Sequence, residues 1–196
     1  ELSFTDTGPV TGSDTYTTVV ILHGCGFPAV CFQRLLPYAK QDDVRLVAVN
    51  RRPYGGSTKY NEAELEELRT GQISFLHRTA SELANFLLWF VDTNHIPPVS
   101  TSGRQGGICV LGWSLGNSSV MTLLAYPEII RPEMSAKLER YLRKILLYDP
   151  PHCVFGYDKP KGSYDPFEDP AFANDPAATF KHLCLWATAY YDHVDP

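Results

Sequence analysis

The sequence predicts an α/β protein, a mostly parallel sheet with helices on both faces and an irregular segment after it. Three observations carry that expectation. Candidate elements alternate as strand, strand, helix, strand, helix, strand, helix, helix, strand, the order that parallel pairing with crossover helices requires. The strands are short apolar or β-branched runs, among them Tyr16-Thr-Thr-Val-Val-Ile-Leu22, Val44-Arg-Leu-Val-Ala-Val49 and Ile108-Cys-Val-Leu-Gly112. Finally, 196 residues of 44% apolar content can bury one substantial core, which favours one domain over two.

Taken in order, Leu2–Gly8 reads as a first strand and Tyr16–Leu22 as a second, ending in His23-Gly24-Cys25-Gly26-Phe27. Val44–Val49 is the next, and the acidic run Glu62 to Glu67 reads as a solvated helix face. Leu76–Val91 is the clearest helix, with Phe86–Val91 as its inner stripe, and Pro97-Pro98 stops it. A polar loop, Ser100–Gly107, returns the chain to the strand at Ile108. Asn117–Ala125 is helix-compatible, with Val120, Met121, Leu123 and Leu124 available to pack on the sheet. Glu133–Arg143 reads as another helix feeding a strand over Lys144–Tyr148. Six prolines between Asp149 and Ala177 rule out regular strands there, and Thr179–Tyr191 reads as a last helix with Leu183, Trp186 and Tyr190 on one side. The expected division is therefore a core over 1–149 and an irregular segment over 150–196.

The most informative stretch is Gly112-Trp113-Ser114-Leu115-Gly116, set between a strand and a helix. A serine there sits on a very tight turn, and small residues two before and two after let neighbouring backbones approach. The turn pushes its hydroxyl out of the sheet, where it can act as a nucleophile. His23-Gly24-Cys25-Gly26 comes earlier in the chain, after a strand, and its glycines let the backbone turn amides outward. Two amides aimed at a carbonyl oxygen that gains negative charge contribute a few kcal/mol to acyl transfer. The amides of Cys25 and Leu115 are the candidates, and His23 reads as a structural hydrogen-bonding residue rather than a base.

On these motifs the chain resembles the α/β-hydrolase family from Leu2 to about Pro151. Asn50-Arg-Arg-Pro-Tyr-Gly-Gly-Ser57 is similar to that family's Arg-Gly-Tyr-Gly-x-Ser loop, with Pro53 where glycine is usual, and Leu147-Tyr-Asp-Pro-Pro151 looks most like members of fungal type. The resemblance implies a serine-dependent hydrolase of a small ester, thioester, amide or lactone, working through an acyl-enzyme and without metal or organic cofactor. It implies that 150–196 is a lid, with Cys153, Phe155, Tyr157, Phe167, Phe172 and Phe180 lining a substrate pocket. It also implies an acid and a histidine in that order after the serine. Asp149, at the end of the strand after Ser114, is the candidate acid; the alternative is that it orders the turn and the acid lies beyond this chain. His152, His182 and His193 all follow it, yet none follows a recognisable strand, and His193 is the best placed. Three expectations compete: a fragment, a cleaved chain whose companion supplies the last strands and the histidine, or a non-catalytic binding or interaction protein on the same scaffold. A fragment would expose a long apolar sheet edge and self-associate.

Other classes are disfavoured. A net charge of −5 with interspersed signs gives no basis for nucleic acid binding, and the adjacent Arg51 and Arg52 read as ties to carboxylates and carbonyls. No apolar run reaches the length of a membrane span. Five cysteines without Cys-x-x-Cys spacing point to reduced thiols and a cytoplasmic protein, with a Cys25–Cys31 bridge left open. The histidines lack metal-ligand spacing. The sequon at Asn117-Ser118-Ser119 falls on the helix behind the nucleophile, where a glycan would collide with the site. The chain opens at Glu1 and almost at once enters a strand, as it would if a leader or first strand had been removed.

Overall fold

In the computed structural model, which describes residues 1–189, 191 and 192, five strands form one sheet. They are β1 (Phe4–Asp6), β2 (Thr17–Leu22), β3 (Val44–Val49), β4 (Ile108–Trp113) and β5 (Leu142–Tyr148), in spatial order β1-β3-β2-β4-β5. β2 to β5 are parallel neighbours, and β1 alone runs antiparallel, on β3. The helices are α1 (Leu36–Ala39), α2 (Glu62–Arg69), α3 (Ile73–Asn94), α4 (Gly116–Ala125), α5 (Pro132–Glu139) and α6 (Pro176–Ala187). A mostly parallel α/β architecture is thus observed.

The two-residue period of the strands sorts the core into two layers. Val20, Leu22, Val47, Val49, Ile108 and Val110 pack on one face against Leu83, Leu87 and Phe90 of α3 and Val120 and Leu123 of α4. Ile21 and Leu46 face the other way, onto Ala39 and the partly buried Phe32 and Leu36. Each fully buried apolar side chain in the α3 stripe contributes about 1.5–3 kcal/mol, so this helix is the main cover of the sheet. β5 pairs only with β4 among the described strands, and Leu146, Leu147 and Tyr148 on it are 38, 40 and 62% exposed.

Several element boundaries depart from the sequence reading. The helix expected over Glu133–Arg143 ends at Glu139, and the strand begins two residues early at Leu142. The reason is competition for carbonyls: Val99 N–H donates to Arg140 O (2.9 Å) and Ile108 N–H to Tyr141 O (2.6 Å), so this stretch is drawn onto the start of β4. The last helix runs Pro176–Ala187 rather than Thr179–Tyr191, because Asp175 caps it by accepting from the amides of Ala177 and Ala178. Within the acidic run, Glu64 is buried rather than solvated: it closes a capping box with Asn61 and pairs with Arg52 at 2.7 Å. All five cysteines are free thiols. No helix among the described residues is long and apolar enough to cross a membrane.

The chain divides into two compact units, the first ending at Phe155 and the second beginning at Gly156. The second holds α6 and a strand-free run in which Tyr164, Asp169 and His182 are tied together: the Tyr164 hydroxyl lies 2.6 Å from both Asp169 Oδ2 and His182 Nε2. Phe172 stacks on the His182 ring at 4.5 Å. Tyr190 and His193 lie outside the described residues.

Candidate active site

Ser114 follows the last residue of β4 with φ 50°. That left-handed conformation costs an L-residue roughly 1–2 kcal/mol, so the surrounding packing must hold it. Glycines permit that packing: a Cβ on Gly116 would sit 2.1 Å from Leu22 O, and one on Gly24 would sit 2.9 Å from Ser114 Cβ and 3.3 Å from its Oγ. The loop after β2 is therefore pressed directly against the serine. Ser114 N–H donates to Tyr148 O (3.0 Å), which ties the turn to the end of β5.

Asn117 completes the tie. Its side chain is fully buried, and Nδ2 donates to both Ser114 O (2.7 Å) and Tyr148 O (2.9 Å). The sequon nitrogen is thus consumed internally, so the motif marks a clamp and not a glycan site. Asp149 comes immediately after Tyr148, in register one residue beyond the Trp113–Tyr148 pair, so it leaves the sheet at the level of Ser114 on the neighbouring strand. It too is left-handed, with φ 47°, and its side chain is exposed and makes no hydrogen bond among the described residues.

The Cys25 and Leu115 amides donate to no protein acceptor among the described residues, whereas the next amide, Gly26 N–H, donates to the Tyr54 hydroxyl (2.9 Å). Leu115 immediately precedes α4, where the helix dipole adds a partial positive charge. His23 is not available as a base. It is fully buried, with Nδ1 2.8 Å from Gly24 O and Nε2 accepting from Arg51 N–H at 3.0 Å. Since the Nε2 site is an acceptor, Nδ1 carries the proton, and burial pushes the ring pKa down to about 4. Arg51 reinforces the loop from the other side, donating from Nε to His23 O (2.7 Å) and from Nη2 to Gly24 O (3.0 Å). Arg52 instead reaches carboxylates, Glu64 at 2.7 Å and Glu82 at 2.5 Å.

Of the other histidines, His152 lies in a short turn after Asp149, and His182 is engaged by Tyr164 and Phe172 within the second unit. No histidine hydrogen-bonds to Ser114 Oγ among the described residues. Beside the turn lies a cavity of about 380 Å³, walled by Leu115, Ser118 and Ser119 on one side and by Arg51, Tyr54 and residues of α2 and α3 on the other.

The arrangement of this sheet and its helices is shared by solved structures. An epoxide hydrolase of the alpha/beta hydrolases superfamily, from metagenomes of hot environments, superposes on 100% of this chain and 56% of its own, with 17% identity and a TM-score of 0.52. The chain has the α/β-hydrolase fold. A carboxylesterase from Bacillus cereus matches 76% of this chain and 60% of its own at 16% identity, TM-score 0.49. A lipase-esterase related protein from Clostridium acetobutylicum matches 74% and 45% at 17% identity, TM-score 0.43. The chain thus spans about half the length of these α/β-hydrolase structures. No protein-family model and no curated protein matches it by sequence.

Two residues of this site were not assigned roles from the sequence. Tyr54 lies in the recognised loop but acts on a partner more than 25 positions earlier, and Asn117 carried only the sequon signal, whereas Arg51, read as a tie to carbonyls, is one.

Proposed function

We propose that the chain is a serine-dependent hydrolase of a small ester, thioester, amide or lactone, acting through an acyl-enzyme. The observation that carries this reading is Ser114 itself, held at φ 50° against Gly24, with the neighbouring Cys25 and Leu115 amides having no protein acceptor among the described residues. Ser114 Oγ attacks the carbonyl carbon, and the Cys25 and Leu115 amides hold the oxygen as its charge grows. A neutral hydroxyl needs a base, and the imidazole comes either from His193, outside the described residues, or from a companion chain added to the free edge of β5. Asp149, at the strand end beside Ser114, orients that imidazole. The reaction requires no metal or organic cofactor.

A second reading, a non-catalytic binding protein on the same scaffold, draws on the absence of any histidine bonded to Ser114 Oγ among the described residues. A fluorophosphonate separates the two, because it modifies a hydroxyl only where a base and an oxyanion site activate it. Intact mass of the treated protein should show one adduct, mapping to Ser114 and lost in Ser114→Ala. An unmodified protein, with ester hydrolysis unchanged by Ser114→Ala, would remove the hydrolase reading in favour of the second.

A further inference from the structure

The cavity beside the Ser114 turn is bordered by an arginine without an ion-pair partner among the described residues. Its walls are mostly apolar, with Leu68 of α2, Phe75, Leu76 and Leu83 of α3, and Leu22 at the end of β2. Three charged side chains border it: Arg51, Arg52 and Glu82. Arg52 is shared by Glu82 at 2.5 Å and Glu64 at 2.7 Å, and Arg78 faces Glu64 at 3.6 Å and pairs with Glu67 at 2.7 Å. Arg51 has no carboxylate within ion-pair distance among the described residues. The two hydrogen bonds its guanidinium donates run short of its capacity. Nε and one Nη2 proton go to the uncharged carbonyls of His23 and Gly24, its guanidinium lies 5.7 Å from the Tyr54 ring centre, and Nη1 bonds to nothing described. The hydroxyls of Tyr54 and Tyr60, which also face it, do not supply the missing charge, because burial raises both pKas and keeps them neutral. An isolated cation against an apolar wall is costly unless an anion joins it. A guanidinium with two adjacent free donors matches a carboxylate.

We propose that this cavity binds an apolar carboxylate, its acid group on Arg51 and its hydrocarbon between Phe75, Leu76 and Leu68. A volume of about 380 Å³ lies at the lower end of the range of small-molecule sites, about 300–1,000 Å³. One guanidinium without a carboxylate partner of its own fits a monoanion. Because Leu115 forms part of the wall, the site also narrows the substrate: it holds the carboxylate-bearing portion of an ester or lactone cleaved at Ser114. That last step rests on the hydrolase reading; the binding itself does not.

The test uses the Ser114→Ala chain, which cannot turn a ligand over, with octanoate and its neutral counterpart octanamide as calorimetric probes. Octanoate should bind at least about tenfold more tightly, the contribution of a charge-assisted contact. Arg51→Gln should erase that preference, and Thr79→Trp, which fills the cavity from α3, should weaken both probes. Equal binding of the two probes to the Ser114→Ala chain overturns the proposal without any further variant, and so does octanoate binding that Thr79→Trp leaves unchanged, because the site would then lie elsewhere. The hydrolase reading is scored separately: if octanoate binds as expected but unsubstituted protein takes no fluorophosphonate, the carboxylate site stands and its role in turnover falls. If Ser114 is labelled while octanoate and octanamide bind alike, only the carboxylate site falls.

Discussion

His23 illustrates how a titratable side chain in the loop pressed against Ser114 can be structural. Its two ring nitrogens have opposite duties, one donating to Gly24 O and one accepting from Arg51 N–H, and only the neutral ring can perform both. Burial therefore lowers its pKa from 6.5 to about 4. A depressed histidine pKa means that protonation favours the unfolded chain. Its contribution is fully present above pH 6.5 and is lost as pH falls towards 4. At about 1.4 kcal/mol per pH unit, the loss reaches up to about 3 kcal/mol. Urea unfolding at pH 7 and pH 4.5 should show a drop that His23→Asn, already weaker at pH 7, lacks; an equal drop in both proteins would reassign it to the carboxylates. The serine turn was legible from sequence because its determinants, Gly112, Ser114 and Gly116, are local. The partners of His23 were not, because Arg51 comes 28 positions later and its amide is set by the path of a loop.

At the scale of elements, the segment linking β3 to α3 is organised by Arg52. Its guanidinium donates to Glu64 and Glu82 and also to the carbonyls of Thr58 and Lys59, so one side chain holds the loop, the N-terminus of α2 and the middle of α3. Both arginines were read as loop ties, and the structure distinguishes them: Arg52 is neutralised and Arg51 is not. Arg52→Ala would leave the buried Glu64 carboxylate with Arg78 at 3.6 Å as its one cation and the Asn61 N–H at 2.8 Å as its remaining hydrogen bond among the described residues. A loss of about 2–4 kcal/mol is expected, measured as a lower urea midpoint with unchanged slope. Arg52→Lys should recover only part of it, since an ammonium cannot span two carboxylates and two carbonyls. Strand positions were read closely because β2, β3 and β4 are apolar runs whose pairing reinforces local preference. The α5–β5 junction was not, because Leu138-Glu-Arg-Tyr-Leu-Arg-Lys suits a helix as well as a strand, and only carbonyls claimed by Val99 and Ile108 decide it.

At the scale of the whole molecule, β5 matters most. It presents Leu146, Leu147 and Tyr148 beside a row of backbone groups that pair with no described strand. Such an edge invites another strand. Sedimentation velocity of the chain alone should show concentration-dependent self-association, reduced in Leu146→Lys; a monomer at all concentrations would argue against an edge that needs a partner. Composition and period predicted that the sheet has two covered faces, but not how its edge is finished, because edge exposure depends on what lies alongside in space.

The amide of Asn117 has a consequence for motion. One nitrogen sends one proton to the carbonyl of Ser114 and the other to the carbonyl of Tyr148, the residue before Asp149. The Ser114 turn and the strand end that carries Asp149 are thus yoked through a single planar group, beside the direct bond from Ser114 N–H to Tyr148 O. Displacement of either carbonyl stretches one of these bonds, so the two side-chain protons of Asn117 report by their solvent exchange on the turn and on the strand end separately.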